Sequence, residues 1–546
     1  MLPAKHIPFG AHGIFTKEQS ALIFTAILRL LDIPVGQATS PYSSSVDTSS
    51  GMGILLDRDQ RKSPVTHHIA RWVVMSLSSA CLDNNDSVLA SLEGLIQAVE
   101  TFFHPSNSGI WSKTLSQLVY YLTDFFVMRW NRENSGEMEI PAERRLTPEI
   151  KDRFVLCLRE VVFMGIYSKS NAAMDLSLSS LQRLAFLEPK LILPGALQRI
   201  YPSMQGLVEV HRTTSSLKSI LMLSRTMATT RGFRCHVTTL LGLALPGIDA
   251  NDLDKTLHTL TLIQTLAHNV PFHDLAQGKD DSNLGSHIAL EWVSSEAERL
   301  EREGADVHVD YDAELTDEQE QTILKSSTAG FSDWVISFLG RIFTLLENIP
   351  DSTRVRSGSP EENVMNMLPA VFTPLFASLS PELYDIALSK VADFVGRHVI
   401  HQARDAMAFI CNTLCKVDPQ KGLKRLVPIL IGNIRTEIEE NGAASTRNTG
   451  SEVLPRDRGL VWNISILSMC TVHVGDAVLK HKEELFGIAK FMQQKCQGIP
   501  AVHVSNFVHH LLLDLTCVYT SDYRLSEPGD GELTFNFTIL VLLMQN

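Results

Sequence analysis

Four side chains come closest to a metal-ligand pattern: His398, His401, Cys411 and Cys415. The histidines are spaced i, i+3 and the cysteines i, i+4, so each pair can share one helix face. Zinc takes such donors at about 2.0–2.3 Å around one tetrahedral centre. Ile400, Phe409, Ile410 and Leu414 crowd the same stretch. In that company a cysteine serves as a small apolar residue. Hairpin core is therefore the preferred reading, and no metal site is expected.

Other candidates are weaker. His67-His68 and His509-His510 are adjacent pairs, and helix neighbours point about 100° apart, which does not favour chelation. Arg231, Arg234, Cys235 and His236 place cations beside a thiol, an arrangement that can lower a thiol pKa, but a helix start with a buried cysteine explains them as well. Lys421, Lys424 and Arg425 form a small basic patch behind Asp418-Pro419; a polyanion such as an inositol phosphate could use it, and so could solvent. No G-x-x-x-x-G-K-[ST], G-x-G-x-x-G, H-E-x-x-H or G-x-S-x-G motif occurs. Paired carboxylates sit mainly in loops, not in dry clefts that tune their pKa. No catalytic residue, cofactor-binding residue or metal ligand is assigned, and no enzymatic activity is expected.

The elements that carry these residues read as helices almost throughout. One stripe runs Val88, Leu89, Leu92, Leu95, Ile96, Val99, and another Leu383, Ile386, Ala387, Val391, Phe394, Val395. Steps of three and four put one apolar face on a 3.6-residue period. About nineteen such segments are expected, among them 112–130, 234–244, 286–302, 315–327, 458–480 and 482–519, the last as two helices. Thr16 with Gln19 reads as a capping box, Asp252 as a cap, and Ser380-Pro381-Glu382 and Asp418-Pro419 as caps followed by a first-turn proline. Helix pairs return about every 40 residues without a strict sequence repeat, which fits the HEAT type better than tetratricopeptide or ankyrin repeats. The fold expected is all-α: an armadillo-like α-solenoid of HEAT-like hairpins over residues 1–525, whose neighbours must stack to bury their faces.

Long polar inserts interrupt the array at about 39–64, 131–146, 275–315, 350–362 and 440–457, and are expected to be mobile. The stretch 291–320 holds twelve acidic residues against Arg299 and Arg302, a net charge of −10 out of −13 for the chain. A solvated loop is the simpler reading and a contact for a basic partner the sharper one. Residues 526–546 are atypical: Phe535 to Met544 has strand-like content with nothing after it to pair with, as in a chain cut short. A chain this acidic is a poor general binder of nucleic acid. No run approaches 18 apolar residues, so no membrane span is expected. Eight scattered cysteines without a C-x-x-C pair suit a reducing compartment.

Three segments carry a resemblance: Leu30 to Gln37 (LLDIPVGQ), Thr101 to Trp111 (TFFHPSNSGIW) and Leu245 to Thr256 (LPGIDANDLDKT). They resemble the large single-chain HEAT-repeat proteasome activators, called proteasome activator subunit 4 in animals and the bleomycin-sensitivity protein in fungi. The likeness runs through residues 1–525 and covers only an internal, middle part of that family's chain. It implies a solenoid that wraps into a dome, caps the α-ring of the proteasome core particle without ATP, and admits peptides, unfolded proteins and acetylated histones. It further implies residence in nucleus and cytoplasm, a part in protein degradation and DNA repair, and inositol phosphate as a bound group, with no cofactor required. The family's C-terminal anchor, with its penultimate tyrosine, and its acetyl-lysine-binding region have no counterpart before Met544-Gln545-Asn546. The segments 101–111 and 245–256 read as architecture, the Pro246-Gly247 turn using glycine's tolerance of positive φ. The function expected is thus a segment of a proteasome activator; the alternative is a nuclear transport receptor or another HEAT-repeat scaffold for basic cargo.

Overall fold

The computed structural model describes residues 10–31, 65–82, 85–107, 110–136, 140–141, 144–205, 210–274, 328, 330–348, 358–444 and 452–521. The inserts expected at 39–64 and 275–315, the acidic stretch 291–320, the helices expected at 286–302 and 315–327, the tail 526–546 and residues 32–37 lie outside them. The chain divides into two units, Met1–Trp334 and Val335–Asn546.

The first unit contains α1 (Lys17–Leu30), α2 (Val65–Ser76), α3 (Val88–Val99), α4 (Ile110–Asn134), α5 (Pro148–Gly165), α6 (Asn171–Leu187), α7 (Pro189–Gln205), α8 (Val210–Thr229), α9 (His236–Ala244) and α10 (Leu253–Asn269). Helix α11 (Phe331–Asn348) crosses the division. The second unit contains α12 (Pro360–Ser378), α13 (Pro381–Arg397), α14 (Arg404–Val417), α15 (Pro419–Glu439), α16 (Arg458–Cys470), α17 (Lys482–Lys495) and α18 (Ile499–Ser521). No β-strand occurs among the described residues.

The expected stripes are the buried ones. Val88, Leu89, Leu92, Leu95, Ile96 and Val99 are all buried on α3. On α13 the stripe is buried except for Ile386, which lies at its edge. Each such side chain stabilises the packing by about 1.5–3 kcal/mol. The caps form as expected: Thr16 and Gln19 close a reciprocal capping box, and Asp252, Ser380 and Asp418 accept from the backbone N–H groups of Lys255, Leu383 and Lys421.

Most helices pack on the helix two places along, and many on a chain neighbour as well. In the first unit α1, α3, α5, α7 and α9 form one series of neighbours, and α2, α4, α6, α8 and α10 another. In the second unit α12, α14, α16 and α18 form one series; α13 packs on α15, which packs on the 3-10 segment Gly475–His481 leading into α17. This two-layer stacking of antiparallel hairpins is the HEAT-type solenoid arrangement.

Two features depart from expectation. Helix α4 runs on through Asn134, into the region read as a polar insert, because Arg129 and Glu133 are buried there as an ion pair. The Arg129 guanidinium donates to Glu133 Oε1 and to the carbonyls of Val74, Leu77 and Arg144, while Glu133 Oε2 accepts from Leu146 N–H at 2.7 Å. Helix α16 stops at Cys470, ten residues before the expected end. Asn412 of α14 donates to the carbonyls of Met469 and Val472 at 2.6 and 3.0 Å. That side chain satisfies groups a continuing helix would bond, and His473 then turns to φ 59°.

Candidate functional site

The turn between α9 and α10 shows what the segment Leu245–Thr256 is for. Thr256 Oγ1 donates to the Asp249 carbonyl at 2.8 Å and accepts from the Asp249 N–H at 2.9 Å. Asp249 Oδ1 accepts from the Asn251 N–H at 2.9 Å, a local turn that short carboxylates favour. Gly247 has no positive φ, which corrects the expectation from sequence. A Cβ there would collide with Thr259 Oγ1; glycine is required by close approach and not by backbone hand. In Thr101–Trp111, Asn107 Nδ2 donates to the Thr101 carbonyl and Phe103 is buried, again a self-bonded turn.

The metal-like residues do not converge. His398 stacks on Phe394 at 4.6 Å and is exposed. His401 lies in the short 3-10 turn His401–Ala403, and Cys411 and Cys415 are buried on α14 against Cys470 of α16. Contact with the Cys470 thiol, then burial, raises the Cys415 pKa well above its usual value. Such a thiol stays protonated and is a poor nucleophile. Among the described residues no three His, Cys, Asp or Glu side chains form a set able to hold a metal ion.

The other candidates resolve into packing. His236 is fully buried, its Nδ1 at 2.6 Å from the Tyr201 hydroxyl, and burial lowers its pKa to about 3. It carries no charge that could activate Cys235, which is buried with Sγ 3.5 Å from the Gly232 carbonyl. Tyr201 was not legible as its partner, being thirty-five residues away on another helix. His510 Nδ1 lies 2.8 Å from Ser468 Oγ, and His509 is exposed.

Two surfaces remain. On α15, Lys421 pairs with Asp385 at 2.7 Å and Arg425 with Asp393 at 3.6 Å, leaving Lys424 beside an open groove of about 470 Å³ with Leu388 and Ser389. The hydrogen bond to Asp385 raises the Lys421 pKa. The patch flagged by its three cations is thus largely neutralised by α13, which sequence spacing did not reveal. On the first unit, α2 and α4 enclose a cavity of about 240 Å³ lined by Arg71, Val74, Met75, Phe125, Met128, Arg129 and Arg132.

Stacked hairpins with well-bonded turns define a HEAT-repeat scaffold. The chain belongs to the family of Proteasome activator complex subunit 4, whose mid HEAT repeats region matches residues 92–534. It is 28% identical to Proteasome activator complex subunit 4 of Homo sapiens over 525 residues, which is 93% of this chain and 25% of that one. It is similarly 28% identical to the 4B subunit of Danio rerio over 527 residues, again 93% and 25%. Proteasome activator BLM10 of Saccharomyces cerevisiae is 23% identical over 553 residues, 96% of this chain and 23% of that one. The chain spans about a quarter of the length of the curated relatives it matches.

Proposed function

We propose that the chain forms a non-catalytic wall segment of an ATP-independent proteasome activator. In this reading it helps build the dome that caps the core-particle α-ring and controls the admission of peptides, unfolded proteins and acetylated histones, in nucleus and cytoplasm. The observation that carries the reading is the match of residues 92–534 to the mid HEAT repeats region, supported by the two-layer hairpin stacking in each unit. A wall acts by shape and surface, so it needs rigid turns and no nucleophile; the bonded turn at Leu245–Thr256 and the protonated thiols suit that role. Lys424 and the groove beside it are the residues this reading offers to an inositol phosphate, which would have to displace Asp385 or Asp393.

The test is capture by the tagged chain from purified components. Co-isolation of core-particle α subunits, with faster hydrolysis of a fluorogenic peptide by the core particle in the absence of ATP, is the expected result. Capture of Ran and basic import cargo with no core particle would overturn the reading in favour of a transport receptor. Peptide turnover by the chain alone would overturn its non-catalytic part.

A further inference from the structure

The cavity between α2 and α4 is built from two stripes. Helix α2 contributes Arg71 and Met75, four residues apart, with His67 one turn before them on the same face, and α4 contributes Phe125 and Met128, with Tyr121 one turn before them. Its aromatic end is closed by ring contacts: His67 lies edge-on to Tyr121 at 5.2 Å and to Phe125 at 4.9 Å, and Tyr121 stacks on Phe125. Its other end is fixed by the buried Arg129 brace to the Val74 and Leu77 carbonyls. Between them Val74, Met75, Phe125 and Met128 make an apolar floor, Met128 being 38% exposed.

Charge decides what fits. Among the described residues three arginines line the cavity and no carboxylate does. The nearby acidic groups of α4 are engaged: Asp124 bonds Arg183 at 2.9 Å, and Glu133 bonds Arg129. Arg129 is spent on that brace, whereas Arg71 is exposed and makes no hydrogen bond or ion pair among the described residues. Arginine, methionine and aromatic residues together are the composition enriched in protein interfaces, where a planar guanidinium can take a carboxylate in bidentate fashion. Methionine adapts its shape to the side chain it meets.

We propose that this cavity is a docking site for a peptide segment of a partner protein that carries an acidic residue beside a large apolar side chain, with the apolar group over Phe125 and Met128 and the carboxylate on Arg71. The site uses one free guanidinium over an apolar floor, not the row of cations that a nucleic-acid backbone demands, and it is independent of whether the chain engages a proteasome.

The test uses the full chain with no core particle present. A fluorescein-labelled decapeptide alternating Glu or Asp with Leu or Phe is titrated by anisotropy, beside a Lys-for-acid version and a Ser-for-apolar version. The acidic-apolar peptide should bind and the other two should not. Arg71→Glu should weaken binding about tenfold and reduce its salt dependence, and Met128→Ser should weaken it about threefold with the salt dependence unchanged. Both positions are at the surface, and unchanged circular dichroism of the variants verifies folding. Equal binding of the Lys version, indifference to Arg71→Glu in a folded variant, no binding of any peptide, or binding of a single-stranded oligonucleotide in preference to the peptide would each overturn the proposal.

Discussion

Replacing Arg129 with methionine tests how the first unit holds its helix ends together. The guanidinium makes four hydrogen bonds that tie the end of α2, the last turns of α4 and residue 144 to one point. Its side chain and that of Glu133 are 4% and 3% exposed. Arg129→Met leaves the Glu133 carboxylate buried without its cation, and removal of one partner of a buried pair costs about 3–5 kcal/mol. Changing Glu133 to glutamine as well removes the stranded charge and keeps an oxygen for the Leu146 N–H, so the double variant should recover about half or more of the loss. Guanidinium unfolding followed by circular dichroism gives the four corners of the cycle. Hydrogen exchange at residues 74–77 and 144–146 should localise the damage, because a repeat array loses stability near the lesion first. A loss under about 1 kcal/mol in the single variant, or a double variant as damaged as the sum of the two singles, would refute the reasoning.

Gly247→Ala should destabilise the α9–α10 turn by about 1–3 kcal/mol, and Thr259→Ala in the same chain should restore most of it, since the obstacle is the Thr259 hydroxyl; thermal melts of the single and double variants decide. His236 titrates at about 3 when folded against 6.5 when free. The unfolded chain therefore binds more protons between those values, so the stability tied to a neutral His236 is complete above pH 6.5 and is lost as pH falls toward 3. The full span is worth about 5 kcal/mol, and the pH slope of urea midpoints should flatten in His236→Asn. The Cys415 and Cys470 thiols, both raised well above their usual pKa, should escape maleimide in the native chain and react after denaturation, as peptide mass spectrometry would read; rapid native labelling would contradict their burial. Asp252→Ala should cost about 1 kcal/mol through the lost Lys255 cap, measured by the same melts.

Helical periodicity and capping chemistry made most of the fold legible, because both act within one or two turns of chain. The stripe on α3 and the caps at Thr16, Asp252, Ser380 and Asp418 required no knowledge of neighbours. What escaped depends on partners distant in sequence. The end of α16 is set by Asn412, fifty-seven residues upstream of Met469. The length of α4 follows from a pair that buries itself against α2. The basic patch at Lys421 looked free because Asp385 and Asp393 lie on α13, two helices earlier. The arginine-lined cavity was missed because its two stripes are ordinary apart and meet only when α2 packs on α4.

Packing of helices on the one two places along, as in both series of the first unit, gives the array a parity. Excision of two consecutive helices would leave every later helix on its own side, and the joint could heal. Excision of one would send all later helices within that unit to the opposite side, presenting each apolar stripe to the wrong neighbours. Gains and losses of sequence in such a chain should therefore be tolerated in even steps and rejected in odd ones.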